Sequence, residues 1–78
     1  MGYVNGIKFT IHTKEKGHNV RHVHASYQGK EISIDINNAK IIQGNLPKKE
    51  MKIALDWVKK NKNFLNNKWD LLVSNNAL

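Results

Sequence analysis

The stretch HVHASYQGKEISID, residues 22–35, predicts a β-hairpin and decides the fold. Apolar and polar residues alternate in both halves of the stretch, which is the pattern of half-buried strands. Gln28 and Gly29 stand between the halves as a two-residue loop, since glycine tolerates the positive φ that tight hairpin turns require. The sequence therefore predicts one strand at residues 20–28 and its antiparallel partner at residues 31–37.

This loop fixes which residues of the hairpin face one another, because a slip by one residue would set apolar side chains against polar ones. The expected partners are Tyr27 with Lys30, Ala25 with Ile32, His24 with Ser33, Val23 with Ile34 and His22 with Asp35. A second turn at Asn37-Asn38 then sets Asp35 against Lys40. The predicted outward row is His22, Asp35 and Lys40.

Further strands are predicted on both sides of the hairpin. Residues 7–12 alternate with Ile7, Phe9 and Ile11 toward the core, and residues 40–43 form a fourth strand. The polar segment between residues 13 and 19 contains Lys14 and Lys16 and is predicted to be a basic loop.

The C-terminal half is predicted to be helical. Pro47 suits the first turn of a helix at residues 47–60, and apolar residues recur at helical spacing, interrupted near Asn61 and resumed in a second helix at residues 62–73. We expect a single α+β domain over residues 1–78. It would be an antiparallel meander of three to four strands followed by one or two helices packed on one face.

Composition narrows the classes of function. The chain of 78 residues carries a net charge of +7, and its pI is about 9.9, values that attract polyanions such as nucleic acid or an acidic protein. It has no cysteine, which excludes disulfides and thiolate zinc sites. No apolar stretch approaches the roughly 20 residues needed to span a bilayer, and no export signal is evident. We expect a cytoplasmic protein without a cofactor or a membrane partner.

Three histidines lie close together at His18, His22 and His24. The last two have the i, i+2 spacing that places both rings on one face of a strand. Imidazole changes its protonation state near neutral pH, so such a cluster suits proton transfer, metal ligation or phosphate binding. We expect both rings on the uncovered face of the sheet, beside Asp35.

The order of motifs resembles the bacterial family called domain of unknown function 4160. The resemblance rests on His18-Asn19, His22-Val23-His24, Ile34-Asp35-Ile36, Gly44-Asn45-Leu46-Pro47, Ala54-Leu55-Asp56-Trp57 and Trp69. It covers roughly residues 7–73, and Val20 stands where many members have proline. The resemblance implies a toxin-like protein encoded beside a small partner, as in a type II toxin–antitoxin pair. It supplies no catalytic roles.

The first hypothesis for the histidine cluster is a ribonuclease-like toxin. Metal-free RNA cleavage needs a base, an acid and cations near the phosphate. We assign His22, His24 and Asp35 as the catalytic candidates. The nucleic-acid-binding candidates are His18, Arg21, Lys40, Lys14 and Lys16, although strict alternation turns Arg21 toward the isoleucine face. A small acidic antitoxin-like protein is the expected partner.

Three alternatives remain open. In the first alternative, the protein is a non-catalytic module that binds nucleic acid or a partner protein, and Trp57, Lys48 and Lys52 contribute to the partner groove. Alternatively, His22 and His24 share a metal ion with His12, His18 or Asp35, although we assign no metal ligand. In the last reading the histidines are simply polar residues on an exposed sheet face.

Overall fold

The computed structural model of the protein describes residues 2–11 and 21–74, and this part contains five strands in one antiparallel sheet. The strands lie in chain order and are β1 (Gly2–Val4), β2 (Ile7–Thr10), β3 (His22–Tyr27), β4 (Lys30–Asp35) and β5 (Lys40–Gly44). Two helices follow, α1 (Lys48–Lys60) and α2 (Lys62–Trp69), and a π-helical segment (Asp70–Ser74) continues α2. The predicted α+β meander followed by helices is confirmed, with one strand more than predicted.

The β3–β4 hairpin has the predicted register at every position. Tyr27 pairs with Lys30 and His22 with Asp35, and Asp35 pairs with Lys40 across the next turn. Gln28 and Gly29 have φ values of 47° and 81°, as a two-residue loop with positive φ at both positions requires. The hydrophobic pattern and the turn therefore specify the same pairing.

The additional strand, β1, precedes a turn that the sequence signals clearly. Asn5 and Gly6 have φ values of 50° and 82°, and β1 pairs antiparallel with β2 on either side of them. Asn-Gly between two short extended runs is one of the strongest hairpin signals. The predicted count of three to four strands is therefore too low, although Asn5-Gly6 signals the turn that β1 requires.

Helix α1 covers the apolar side of the sheet. Ala54 and Val58 are fully buried, and the Trp57 ring stacks on Phe9 with ring centroids 3.9 Å apart. The core contains the predicted inward residues of the strands together with residues from the loop and the helices: Ile7, Phe9, Ile11, Val23, Ala25, Ile32, Ile34, Ile36, Leu46, Ala54, Val58 and Leu65. The burial of this apolar surface drives the packing of α1 onto the sheet.

Helix α2 and the π-helical segment lie at one end of the sheet. Asn61 separates the two helices as predicted, and its side-chain Nδ2 donates to the Trp57 carbonyl at 2.9 Å. Asn66 Nδ2 donates to Asn37 Oδ1, just beyond β4, at 3.2 Å. Because Arg21, just before β3, also contacts Asn66, α2 lies near the start of β3 and the end of β4.

No helix within the described ranges is both long enough and apolar enough to cross a membrane.

Candidate functional site

His22 and His24 project from the same side of β3, as the i, i+2 spacing predicts. Their ring centroids lie 5.3 Å apart and the rings are inclined at 68°. We call this side of the sheet, away from α1, the histidine face. It carries His22 and His24 from β3 and Glu31, Ser33 and Asp35 from β4. The two imidazoles are therefore close enough to act on neighbouring atoms of one ligand.

The expectation that both rings lie on an uncovered surface is wrong. His22 is 3% exposed and His24 is 8% exposed. The Trp69 ring at the end of α2 lies against His22, with centroids 5.1 Å apart. Periodicity within a strand predicts which residues share a face, but it does not predict that the last turn of a distant helix packs over the end of that face.

His24 is held by a carboxylate that the sequence analysis did not assign. Its Nδ1 atom lies 3.1 Å from Oε2 of Glu31, and Ser33 Oγ lies 3.5 Å from the same nitrogen. Glu31 is the diagonal neighbour of His24 across the β3–β4 ladder, since Ser33 is directly opposite. The predicted register contained this diagonal pair. A carboxylate on Nδ1 fixes the orientation of an imidazole.

Asp35 has the predicted register but another set of partners. It lies opposite His22, yet its carboxylate accepts hydrogen bonds from the backbone N–H groups of Asn37 and Asn38 at 2.9 and 3.3 Å. The Asn38 side chain donates to it at 3.0 Å. No hydrogen bond joins Asp35 to His22 in the described part of the chain. Asp35 is therefore a turn-stabilising residue, since aspartate commonly bonds to the backbone that follows it.

Of the two predicted phosphate-binding cations that the structure describes, Lys40 shares the outward row and Arg21 does not. Lys40 is exposed and pairs with Asp35. Arg21 points toward α2, where its Nη1 atom lies 2.8 Å from Oδ1 of Asp70. Alternation along β3 had already turned Arg21 toward the helix side. The ion pair with Asp70 shows what it meets there.

His12, Lys14, Lys16 and His18 lie outside the described residues. Among the residues that are described, no group of three or more histidine, aspartate or glutamate side chains is arranged to hold a metal ion.

A groove of about 390 Å³ lies at the end of β2, the strand that pairs with β3. Its walls are Thr10 and Ile11 at the end of β2 and Phe64, Lys68 and Leu72 from the C-terminal helical region. Thr10 is the β2 partner of His24, so this one wall residue links the groove to the histidine pair. Phe64 is 45% exposed, and Lys68 Nζ lies 6.0 Å from its ring centroid. The sequence pattern does not predict Phe64 or Lys68 at this position, because they reach it only when α2 lies against the end of the sheet.

The comparisons with known proteins give one match. The family described as domain of unknown function (DUF4160) matches residues 6–70. The searches of curated proteins and of solved structures found no match. The matched segment includes the histidine pair, Glu31 and α2 as far as Asp70, so the chain is a member of the DUF4160 family.

Proposed function

We propose that this protein acts on RNA as the toxin-like member of a two-protein bacterial module, with the His24–Glu31 pair and His22 as its catalytic groups. The observation that carries the proposal is the contact of 3.1 Å between His24 Nδ1 and Glu31 Oε2, with a second imidazole nearby. A base oriented by a carboxylate, next to a second proton-transfer group, is the arrangement that acid–base catalysis requires.

In the proposed reaction the RNA cleaves itself with help from the two imidazoles. His24 accepts the proton of a ribose 2′-hydroxyl as that oxygen attacks the adjacent phosphorus, and Glu31 stabilises the imidazolium that forms. His22 donates a proton to the departing 5′-oxygen. The products are a 2′,3′-cyclic phosphate and a 5′-hydroxyl, and the chemistry uses no metal.

The groove lined by Phe64 and Lys68 supports RNA as the ligand. A half-exposed aromatic ring offers a surface on which a base stacks, and the ammonium of Lys68 offers a partner for phosphate. The net charge of +7 attracts a polyanion over a longer range. One wall of the groove is Thr10, the β2 partner of His24, so in this proposal the RNA extends from the groove toward the catalytic pair.

The toxin-like assignment rests on the family resemblance. It implies a small acidic partner that neutralises the protein in the bacterial cytoplasm. Induced expression of the chain without that partner is therefore expected to arrest growth, and co-expression of the neighbouring gene is expected to restore it.

The test combines growth arrest with cleavage of a defined RNA by the purified chain. His24→Asn and Glu31→Gln keep the approximate shape of each side chain and remove its acid–base function. Loss of a general acid or base costs about 100- to 10,000-fold in rate, so His24→Asn should fall within that range. Glu31→Gln should cost less, since Glu31 acts through His24.

Asp35→Asn is the matched control, because it also neutralises a carboxylate of the histidine face but keeps an acceptor for the turn. It should leave cleavage unchanged. Full activity of folded His24→Asn, as judged by circular dichroism, would exclude the mechanism. Cleavage of a DNA analogue that lacks the 2′-hydroxyl would exclude it as well.

The burial of His22 favours a second candidate function, a non-catalytic RNA-binding module. At 3% exposure and in contact with Trp69, His22 fills space as a core residue does. In that case His24→Asn would abolish neither RNA binding nor growth arrest, and no cyclic phosphate would form. RNA affinity would still fall steeply with added salt, because phosphate contacts release counterions.

A further inference from the structure

A second groove runs along α1 on the helical side of the protein. It has a volume of about 680 Å³ and lies between α1 and Ala39, in the turn before β5. Met51 and Leu55 form its apolar floor, one helical turn apart and half-buried. Lys48, Lys52 and Lys59 line it as exposed residues. An apolar floor flanked by cations is thus part of the protein surface.

The lysines of this groove keep their charge available to a ligand. None of Lys48, Lys52 and Lys59 forms an ion pair with a carboxylate of the residues the structure describes. The acidic residue of the groove, Asp56, pairs with Lys60 instead, Oδ2 to Nζ at 3.1 Å. A ligand with carboxylates beside an apolar stripe would therefore neutralise cations that the chain itself leaves uncompensated.

We propose that this groove is the docking surface for an acidic amphipathic helix of a partner protein. The 13 residues of α1 span about 20 Å at 1.5 Å per residue, enough for a partner helix of three to four turns to lie alongside. Apolar residues of such a helix at i, i+3 or i+4 and i+7 fill a groove of this kind. Glutamates on the flanks of the helix would meet Lys48, Lys52 and Lys59.

The residues that line the groove favour a partner helix over two other occupants, RNA and a second copy of the chain. RNA is the poorer match for the floor of Met51 and Leu55, because bases stack on aromatic rings and none of the described lining residues of this groove is aromatic. A second copy of the chain would bring three more lysines against these three, and like charges facing each other oppose association. The groove lies on α1, away from the histidine face, so this inference does not depend on the proposed catalytic function.

The experiment uses the full chain and a labelled synthetic peptide. The peptide has about 14 residues, which span about 21 Å as a helix, with leucines on one face and glutamates on the flanks. Binding is measured by fluorescence anisotropy for the native chain and for the charge-reversed double variant Lys52→Glu with Lys59→Glu. The matched control is Lys30→Glu with Lys62→Glu, which changes the net charge equally at exposed positions outside the groove.

We expect the groove variant to weaken binding at least about tenfold, equivalent to about 1.4 kcal/mol, and the control to weaken it by no more than about threefold. Replacing the leucines of the peptide with serine should weaken binding by a similar factor.

Equal loss in both double variants, or no binding of the leucine peptide, would overturn the proposal. So would a dimer in sedimentation that the groove variant dissociates, or a single-stranded RNA whose binding depends on Lys52 and Lys59 in place of the peptide.

Discussion

Arg21 Nη1 lies 2.8 Å from Asp70 Oδ1, which ties the start of β3 to the residue where α2 passes into the π-helical segment. The same guanidinium donates to the carbonyl and side-chain oxygens of Asn66 at 3.4 and 3.3 Å. Because Trp69 directly precedes Asp70, these contacts also position the indole that packs on His22.

Arg21→Ala should lower the free energy of unfolding by about 1 kcal/mol, since the ion pair is partly exposed and such pairs contribute little. The side chains are 36% and 54% exposed. The loss should shrink at high salt, where exposed charges are screened. Urea unfolding at low and high salt measures both effects. Asp56→Asn, which breaks the more exposed pair with Lys60, is the control and should cost only a few tenths of a kcal/mol. A larger loss of unfolding free energy for Asp56→Asn than for Arg21→Ala would contradict this prediction.

Trp57→Ala should destabilise the protein by about 3 kcal/mol, because large-to-small changes remove apolar burial and leave a cavity. The indole stacks on fully buried Phe9 and is a major contact between α1 and the sheet. Trp57→Phe keeps an aromatic ring in this place and should lose clearly less. Thermal or urea unfolding measures the difference, and equal losses would show that stacking on Phe9 does not hold α1 in place.

Gly44→Ala should be the more damaging of two glycine substitutions that both involve positive φ. Gly44 and Gly29 have φ values of 90° and 81°, and each alanine would carry about 1 to 2 kcal/mol of backbone strain. A Cβ at Gly44 would also overlap the Glu31 carbonyl oxygen and lie 3.0 Å from Ile32 Cα, whereas nothing lies within 4 Å of a Cβ at Gly29. Unfolding curves of the two variants measure the additional cost, and similar values would refute the steric explanation.

Asp35→Ala should cost about 1 kcal/mol, because the turn loses hydrogen bonds to an exposed carboxylate. Asp35→Asn should cost less, since an amide oxygen still accepts from the backbone. Neither variant should change RNA cleavage once it is folded. A loss of activity in stable Asp35→Asn would return this residue to the catalytic group.

Phe64→Ala should weaken RNA binding without a large change in stability. The ring is 45% exposed, so little burial is lost, whereas stacking on an aromatic side chain contributes about 1 to 3 kcal/mol per base. Affinity for a short single-stranded RNA and the unfolding midpoint should be measured together. Unchanged affinity would show that RNA does not bind in the groove that Phe64 lines.

Much of the sheet follows from local rules. The β3–β4 register is readable from alternation and from Gln28-Gly29, because a one-residue shift would expose every apolar side chain of the hairpin. The break at Asn61 and the burial of Ala54 and Val58 follow likewise from helical spacing. The strand β1 was equally readable from Asn5-Gly6, so its omission was a missed turn signal and not a tertiary effect.

For the candidate site, the sequence predicts less than it does for the sheet. Sequence alone determined that His22 and His24 share a face and that Glu31 lies diagonally across from His24, because side chains in strands alternate with a fixed period of two. Only the tertiary structure decided that Trp69 packs on His22, that Phe64 and Lys68 line a groove with Thr10, and that Asp70 is the partner of Arg21. The position of α2 depends on contacts between residues far apart in the chain, and the residue pattern within a single segment does not predict such contacts.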